Sequence, residues 1–212
     1  MSQRFADLKK VPEQPAARLL AAANAVLETK LSVPASASVA QVLTALEEAQ
    51  APVDMIRMLS VSLPPRECVW WACCAGRDII GAEGQSACLS AAEAWVFEPN
   101  ADKRARVQAV MDTANPNERA SLCATAAFYA PGNMGDSEDL QKMPAPVGIV
   151  AACAFGINIQ TIELGPSPQA RFDLAIDRAL DIARGGNGKV ELRVSEPAAT
   201  ETPQQPETEG QS

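Results

Sequence analysis

No histidine occurs among the 212 residues. This removes the side chain whose ordinary pKa suits proton transfer near neutrality. Ser–His–Asp and Cys–His nucleophile systems are excluded with it, as are histidine-ligated metal sites. Aromatic residues are scarce at 4%, so the 47% apolar share rests on alanine and other small side chains. A core of that kind lets helices approach closely but buries little area per residue, so the few large side chains carry disproportionate weight. Positive charge is in short supply too: 18 Lys and Arg stand against 26 Asp and Glu, for a net charge of −8. That balance argues against general binding to nucleic-acid backbones or anionic membranes, which need clustered cations.

Two further absences concern cysteine and long apolar runs. The six cysteines, Cys68, Cys73, Cys74, Cys88, Cys123 and Cys153, include no C-x-x-C pair. Adjacent Cys73 and Cys74 would point about 100° apart on a helix, poor geometry for shared ligation. The spacing therefore reads as buried, reduced core thiols rather than a disulfide scaffold or a four-thiolate metal site. The longest apolar run, Val147 to Ile157, spans 11 residues. A membrane-spanning helix needs about 18 or more. The N-terminal stretch lacks the apolar core of a signal peptide, so a cytoplasmic protein without membrane insertion is expected.

What is present is a series of helix signals. Residues 1–14 show no periodicity and are expected to be flexible. A helix is expected over Pro15–Lys30, with Leu19, Ala22, Ala23, Val26 and Leu27 on one stripe. Ser38 reads as the N-cap of a helix through Gln50, and Pro52 opens a short one to Val61. Pro65 opens a helix to about Asp78, with Glu67 in its first turn, where a carboxylate suits the dipole. Ser86 caps Ala87–Phe97, Asn100 caps a helix through Thr113, and Asn115-Pro116 begins one ending at Tyr129. Val147–Glu163, apolar on every side, reads as a central, surrounded helix, with a strand pair over Ile157–Leu164 as the alternative. A last amphipathic helix, Gln169–Ala183, stops at Gly185-Gly186-Asn187-Gly188, which is not a phosphate loop. The expected fold class is all-α: a compact domain over 15–185 with seven to eight short helices, and a disordered acidic tail over 186–212.

Within this frame, Lys103, Arg104 and Arg106 read as a solvated basic face, and Glu93 as a solvated charge. The irregular segment Pro131–Pro146 is either a binding element or mobile. Its acids Asp136, Glu138 and Asp139 lack calcium-loop spacing. The stretch Leu63–Gly76, LPPRECVWWACCAG, concentrates two of the three tryptophans and three cysteines. Arg66 lies four residues before Trp70, and Glu67 four before Trp71, so each pair shares a helix face and Arg66 can lie over the Trp70 indole.

Four segments, PPRECVWWACCAG, AEAWVFEPN, CATAAFYAPGN and MPAPVGIVAACAF, together resemble a family of uncharacterised bacterial helical proteins. That family shares a PPRE motif before a double tryptophan, a later AWV with a proline, an AAF–aromatic–glycine segment and a proline-rich loop. The resemblance spans Leu63 to Arg184. Its members are encoded near type VI secretion genes, which implies an accessory, adaptor or chaperone-like role and carries no activity. The DSEDLQK loop is more acidic here than in that pattern.

The expected function is therefore a non-enzymatic protein-interaction protein whose partner is a secretion or assembly component, with no catalytic residue, cofactor or metal assigned. Arg66, Glu67, Trp70, Trp71 and Trp95 are the candidate partner contacts, since Trp and Arg are enriched at binding hot spots. The alternative is a carboxylate-based enzyme using Glu67, Glu93 and Asp78, or a small-ligand-binding helical domain. A self-assembling subunit is the third reading. Convergence of Glu67 and Glu93 in one cleft would favour the enzyme, and separate ion pairs would disfavour it.

Overall fold

The computed structural model describes residues 3–115, 117–165 and 167–192. Among these the fold is all-helical, and the only extended pairing is an isolated bridge between Asn133 and Pro144. Ten α-helices lie among the described residues, against the seven to eight expected. They are α1 (Ala16–Ala22), α2 (Val39–Glu48), α3 (Pro52–Ser62), α4 (Pro65–Ile80), α5 (Ala87–Phe97), α6 (Ala101–Thr113), α7 (Ser121–Tyr129), α8 (Glu138–Gln141), α9 (Ile149–Gln160) and α10 (Pro168–Arg184).

Local chemistry sets most of the starts. Proline occupies the first helical position of α3, α4 and α10, where its missing N–H removes no helix bond. Ser38 and Gln41 form a reciprocal capping box at α2, and Ser86, Asn100, Ser137 and Ser167 accept from backbone N–H groups at α5, α6, α8 and α10. Gly185, at φ 99°, closes α10 in the left-handed conformation.

Helix α4 is the axis of the packing, contacting α5, α7, α9 and α10. Its approach to α7 depends on Gly76. A β-carbon there would sit 2.9 Å from Cys123 Sγ and 3.1 Å from Leu89 Cδ1, so any larger residue forces the helices apart. Helix α9 lies against α3, α4 and α7 with Cys153, Ala154 and Ile157 buried. It is helix, not strand, and it continues as a 3-10 turn over Thr161–Glu163. It is not surrounded on all sides, however. Ala152 is exposed, and half-buried Phe155 stacks under the Arg57 guanidinium at 4.7 Å.

Four local expectations are corrected, each by a contact that local periodicity does not show. Helix α1 stops at Ala22 instead of reaching Lys30. Buried Asp54 accepts from Glu28 N (3.2 Å) and Thr29 N (2.7 Å), so those N–H groups serve a side chain rather than a helix ladder. The helix expected from Asn115 starts only at Ser121. The Asn115 side chain accepts from Asn117 N at 2.9 Å, and Glu118 accepts from the Ser86 hydroxyl on α5. Residues 3–14, expected to be flexible, lie on the helices. Phe5 is 2% exposed, Lys10 N donates to Ala183 O at 2.8 Å, and Arg4 pairs with Glu47 and Asp177. At the other end, the GGNG run is docked rather than loose, with Gly188 N donating to Asp181 Oδ2 at 2.8 Å. The remainder of the expected disordered tail, 193–212, lies outside the described residues.

Candidate interaction surface

The central stretch places its residues in unlike environments. Trp71 is wholly buried and its indole N–H donates to Ala175 O on α10 at 3.0 Å. Trp95 is 5% exposed within the core. Both are therefore core anchors, and the expectation that they contact a partner is corrected by burial. Adjacent positions on a helix diverge by about 100°, so Trp70 cannot follow Trp71 inward. Trp70 stands at the surface, half-buried. Its N–H donates to Asn187 O at 2.8 Å, and its ring meets that of Phe97 edge-on at 5.5 Å between centroids.

Phe97 is the exposed half of this pair, 70% exposed at the last turn of α5. The sequence reading missed it. The available signal was phase: Phe97 falls one position past Val96 and off the inward line of Leu89, Ala92 and Val96. Arg66 does not lie over Trp70 as expected. Its Nε donates to Val96 O at 2.7 Å, satisfying a carbonyl in the last turn of α5. That bond ties the start of α4 to the end of α5, and so holds Phe97 beside Trp70. Glu67 is engaged by Lys10 at 2.5 Å, which pins the N-terminal segment to α4.

The carboxylates named for the enzyme alternative do not converge. Glu67 pairs with Lys10, Glu93 with Arg77 (2.5 Å), and Asp78 with Arg178 (2.6 Å) and more distantly Arg171 (3.5 Å). Each charge is held by its own cation, an arrangement suited to joining elements. A cleft of about 610 Å³ lies between α1, the 23–37 segment and α2, walled by Leu20, Leu27, Leu31, Val33 and Val42. No charged side chain lines it, and none of the five candidate contacts does.

The most substantial departure from the sequence reading is Arg104, read there as part of a solvated basic face. It is 1% exposed. Its guanidinium donates to Phe128 O (2.8 Å), Asn133 Oδ1 (2.7 Å), Asn133 O (2.8 Å) and Asp136 Oδ1 (2.8 Å), and stacks on the Phe128 ring at 4.7 Å. One side chain of α6 thus fixes the end of α7 and the start of the 131–146 segment.

All six cysteines are free and buried. Burial pushes Cys68 and Cys88 up to about 12, and Cys74 and Cys153 up to about 11. They are therefore neutral thiols at physiological pH, with little nucleophilic character. Among the described residues no group of three or more Cys, Asp or Glu side chains is placed to hold a metal ion. Cys68, Cys74, Cys88 and Cys153 ionise later in the folded protein than in the unfolded chain, where the ordinary value is about 9, so the unfolded chain gives up those protons first as pH rises. Stability from this source is full below about pH 9 and declines above it. The urea midpoint is expected to fall between about pH 8 and pH 10.5, and a thiol reagent at neutral pH is expected to label the protein only when it is unfolded. Rapid labelling of the folded protein would contradict the burial.

Residues 42–183 match the model of a family described as "Family of unknown function (DUF6931)". The chain belongs to this family. No curated protein and no solved structure matches it. The DUF6931 region contains Arg66, Trp70, Phe97, Arg104 and the 131–146 segment, whereas the 610 Å³ cleft reaches it only at Val42. Among the described residues no helix is long and apolar enough to cross a membrane.

Proposed function

We propose that this DUF6931 protein is a non-enzymatic interaction protein, an adaptor or accessory factor whose partner is a secretion or assembly component. The observation that carries the reading is the Trp70–Phe97 pair. Two aromatic rings are held at the surface by contacts that keep them there, Trp70 N–H to Asn187 O and Arg66 to Val96 O, while one ring is 70% exposed. An exposed phenylalanine fixed against a half-buried tryptophan is a preordered apolar anchor, and such anchors dominate binding energy. The separate pairing of Glu67, Glu93 and Asp78 supports the non-enzymatic side of the reading. The resemblance of the PPRE–WW stretch to proteins encoded near type VI secretion genes supplies the setting.

The test is affinity purification of the full chain from its native cell, comparing wild type with Phe97→Ser and Arg66→Ala. Phe97→Ser is expected to change stability by no more than about 0.5 kcal/mol, because the ring is largely in water. A type VI secretion component is expected to be enriched with wild type and lost with Phe97→Ser at unchanged melting temperature. Arg66→Ala, which frees the end of α5, is expected to reduce the same protein. Recovery of identical proteins with all three baits would contradict the proposal.

A further inference from the structure

The 131–147 segment is ordered without contributing to the core. Residues 136–144 are all exposed, yet the segment is tied at both ends. Arg104 holds Asn133 and Asp136, Ala145 N donates to Gly132 O at 3.0 Å, and Met134 N donates to Met143 O at 3.0 Å. Within it, Ser137 caps the short helix α8, and Gln141 donates to Asp136 O at 2.8 Å. A fully buried guanidinium is thus committed to shaping a surface loop, which fits recognition better than core stability. The loop also displays three of the seven large apolar side chains exposed among the described residues: Leu140 (37%), Met143 (50%) and Val147 (70%). Val147 borders a cleft of about 320 Å³ walled by Leu19, Val61, Tyr129 and Ile149, with no charged side chain in its lining.

We propose that residues 137–147 and this adjoining cleft form a preordered docking surface for a cationic amphipathic helix of a partner protein. This rests on the reading of the chain as an interaction protein, and adds a contact other than Trp70–Phe97. The partner's chemistry follows from what the loop offers. Pro144 and Pro146 have no N–H, and the N–H groups of Met143 and Ala145 already donate to Leu140 O and Gly132 O. Strand addition therefore lacks donors, and recognition falls to side chains, as in helix-in-groove binding. Glu138 and Asp139, both exposed, precede Leu140 on α8, and Lys142, paired with Glu138 at 2.7 Å, offsets one of the two charges, so the segment 138–142 keeps a net negative charge. Carboxylates beside an apolar patch favour a partner with Lys or Arg flanking its own apolar face. The same charges oppose an anionic bilayer, and with a net charge of −8 they oppose a second copy of this chain.

The test uses the full chain, a leucine–lysine amphipathic peptide of roughly 18 residues, long enough to hold a helix, and its leucine–glutamate counterpart. Calorimetric titration is expected to show binding of the lysine peptide and none of the glutamate peptide. Leu140→Ser with Met143→Ser is expected to weaken binding about tenfold or more, and Glu138→Gln with Asp139→Asn about threefold or more, each at unchanged melting temperature. Equal binding to wild type and the Leu140/Met143 variant would mean attraction to net charge alone and would overturn the proposal. So would equal binding of the two peptides, co-sedimentation with anionic vesicles that the Leu140/Met143 variant abolishes, or a dimer mass that this variant abolishes. The two surfaces fail separately. If Phe97→Ser loses the native partner while the peptide ignores the loop, the docking surface is wrong and the interaction reading stands. If the peptide responds to the loop while the native baits recover the same proteins, the Trp70–Phe97 surface is wrong and the docking surface stands.

Discussion

Replacing Arg104 by methionine is expected to destabilise the protein by about 3–5 kcal/mol and to release the 131–146 segment. The magnitude follows from what is left behind. Methionine fills much of the space, but Phe128 O and the two Asn133 oxygens lose their donor, and Asp136 loses its cation. An acceptor left buried without its donor typically costs about 1–3 kcal/mol, and three are left here. The guanidinium is nearly inaccessible, so the cost falls on the acceptors packed around it, while Asp136, 41% exposed, is left largely to water. Two measurements separate the local from the global consequence. Urea unfolding reads the loss of stability, and limited proteolysis under native conditions reads new cleavage between Gly132 and Pro146. Asp136→Asn is expected to cost far less, because Asp136 is partly exposed and Arg104 keeps its three other acceptors. If Arg104→Met melted with wild type and resisted protease equally, the segment would be held by something other than Arg104.

Trp71→Ala is the second large effect, expected at about 3–5 kcal/mol, in the range for large aromatic deletions from a core. Trp71 is the largest fully buried side chain among the described residues, and its N–H ties the centre of α4 to the Ala175 carbonyl of α10. The alanine-rich surroundings sharpen the prediction. Small neighbours such as Ala72, Ala175 and Ala179 have few side-chain rotamers with which to fill the vacated volume, so the cavity persists. Trp70→Ala, one residue away, is expected to cost about 1 kcal/mol, since that ring is half in solvent and gives up one hydrogen bond at the surface. Chemical denaturation of both variants measures the contrast. Equal losses would mean that the two tryptophans share one role.

What could be read in advance was local. Ser38, Pro52, Pro65, Ser86, Asn100 and Gly185 act on backbone within one helical turn of themselves, and the helices begin or end where these residues place them. The all-α class and the helical state of 149–160 follow from the same short-range chemistry. What could not be read depends on partners far along the chain. Asp54 takes the backbone N–H of Thr29 from 25 residues away, and Arg184 and Ala183 hold the N-terminal segment from the far end of the molecule. Charge is the least legible property. Lys103, Arg104 and Arg106 look alike in sequence, and only the positions of Phe128 and Asn133 decide that Arg104 turns inward. The candidate site divides in the same way. Helical phase alone separates Trp70 from Trp71, whereas the exposure of Phe97 depends on how α5 ends against Arg66.

The central claim is that the Trp70–Phe97 pair is a protein-binding surface. It is tested most directly by the dissociation constant of the most enriched native partner, purified and titrated against wild type and Phe97→Ser. Weakening of about tenfold or more, at the same melting temperature, is the predicted result. An unchanged constant with a folded Phe97→Ser variant would contradict it.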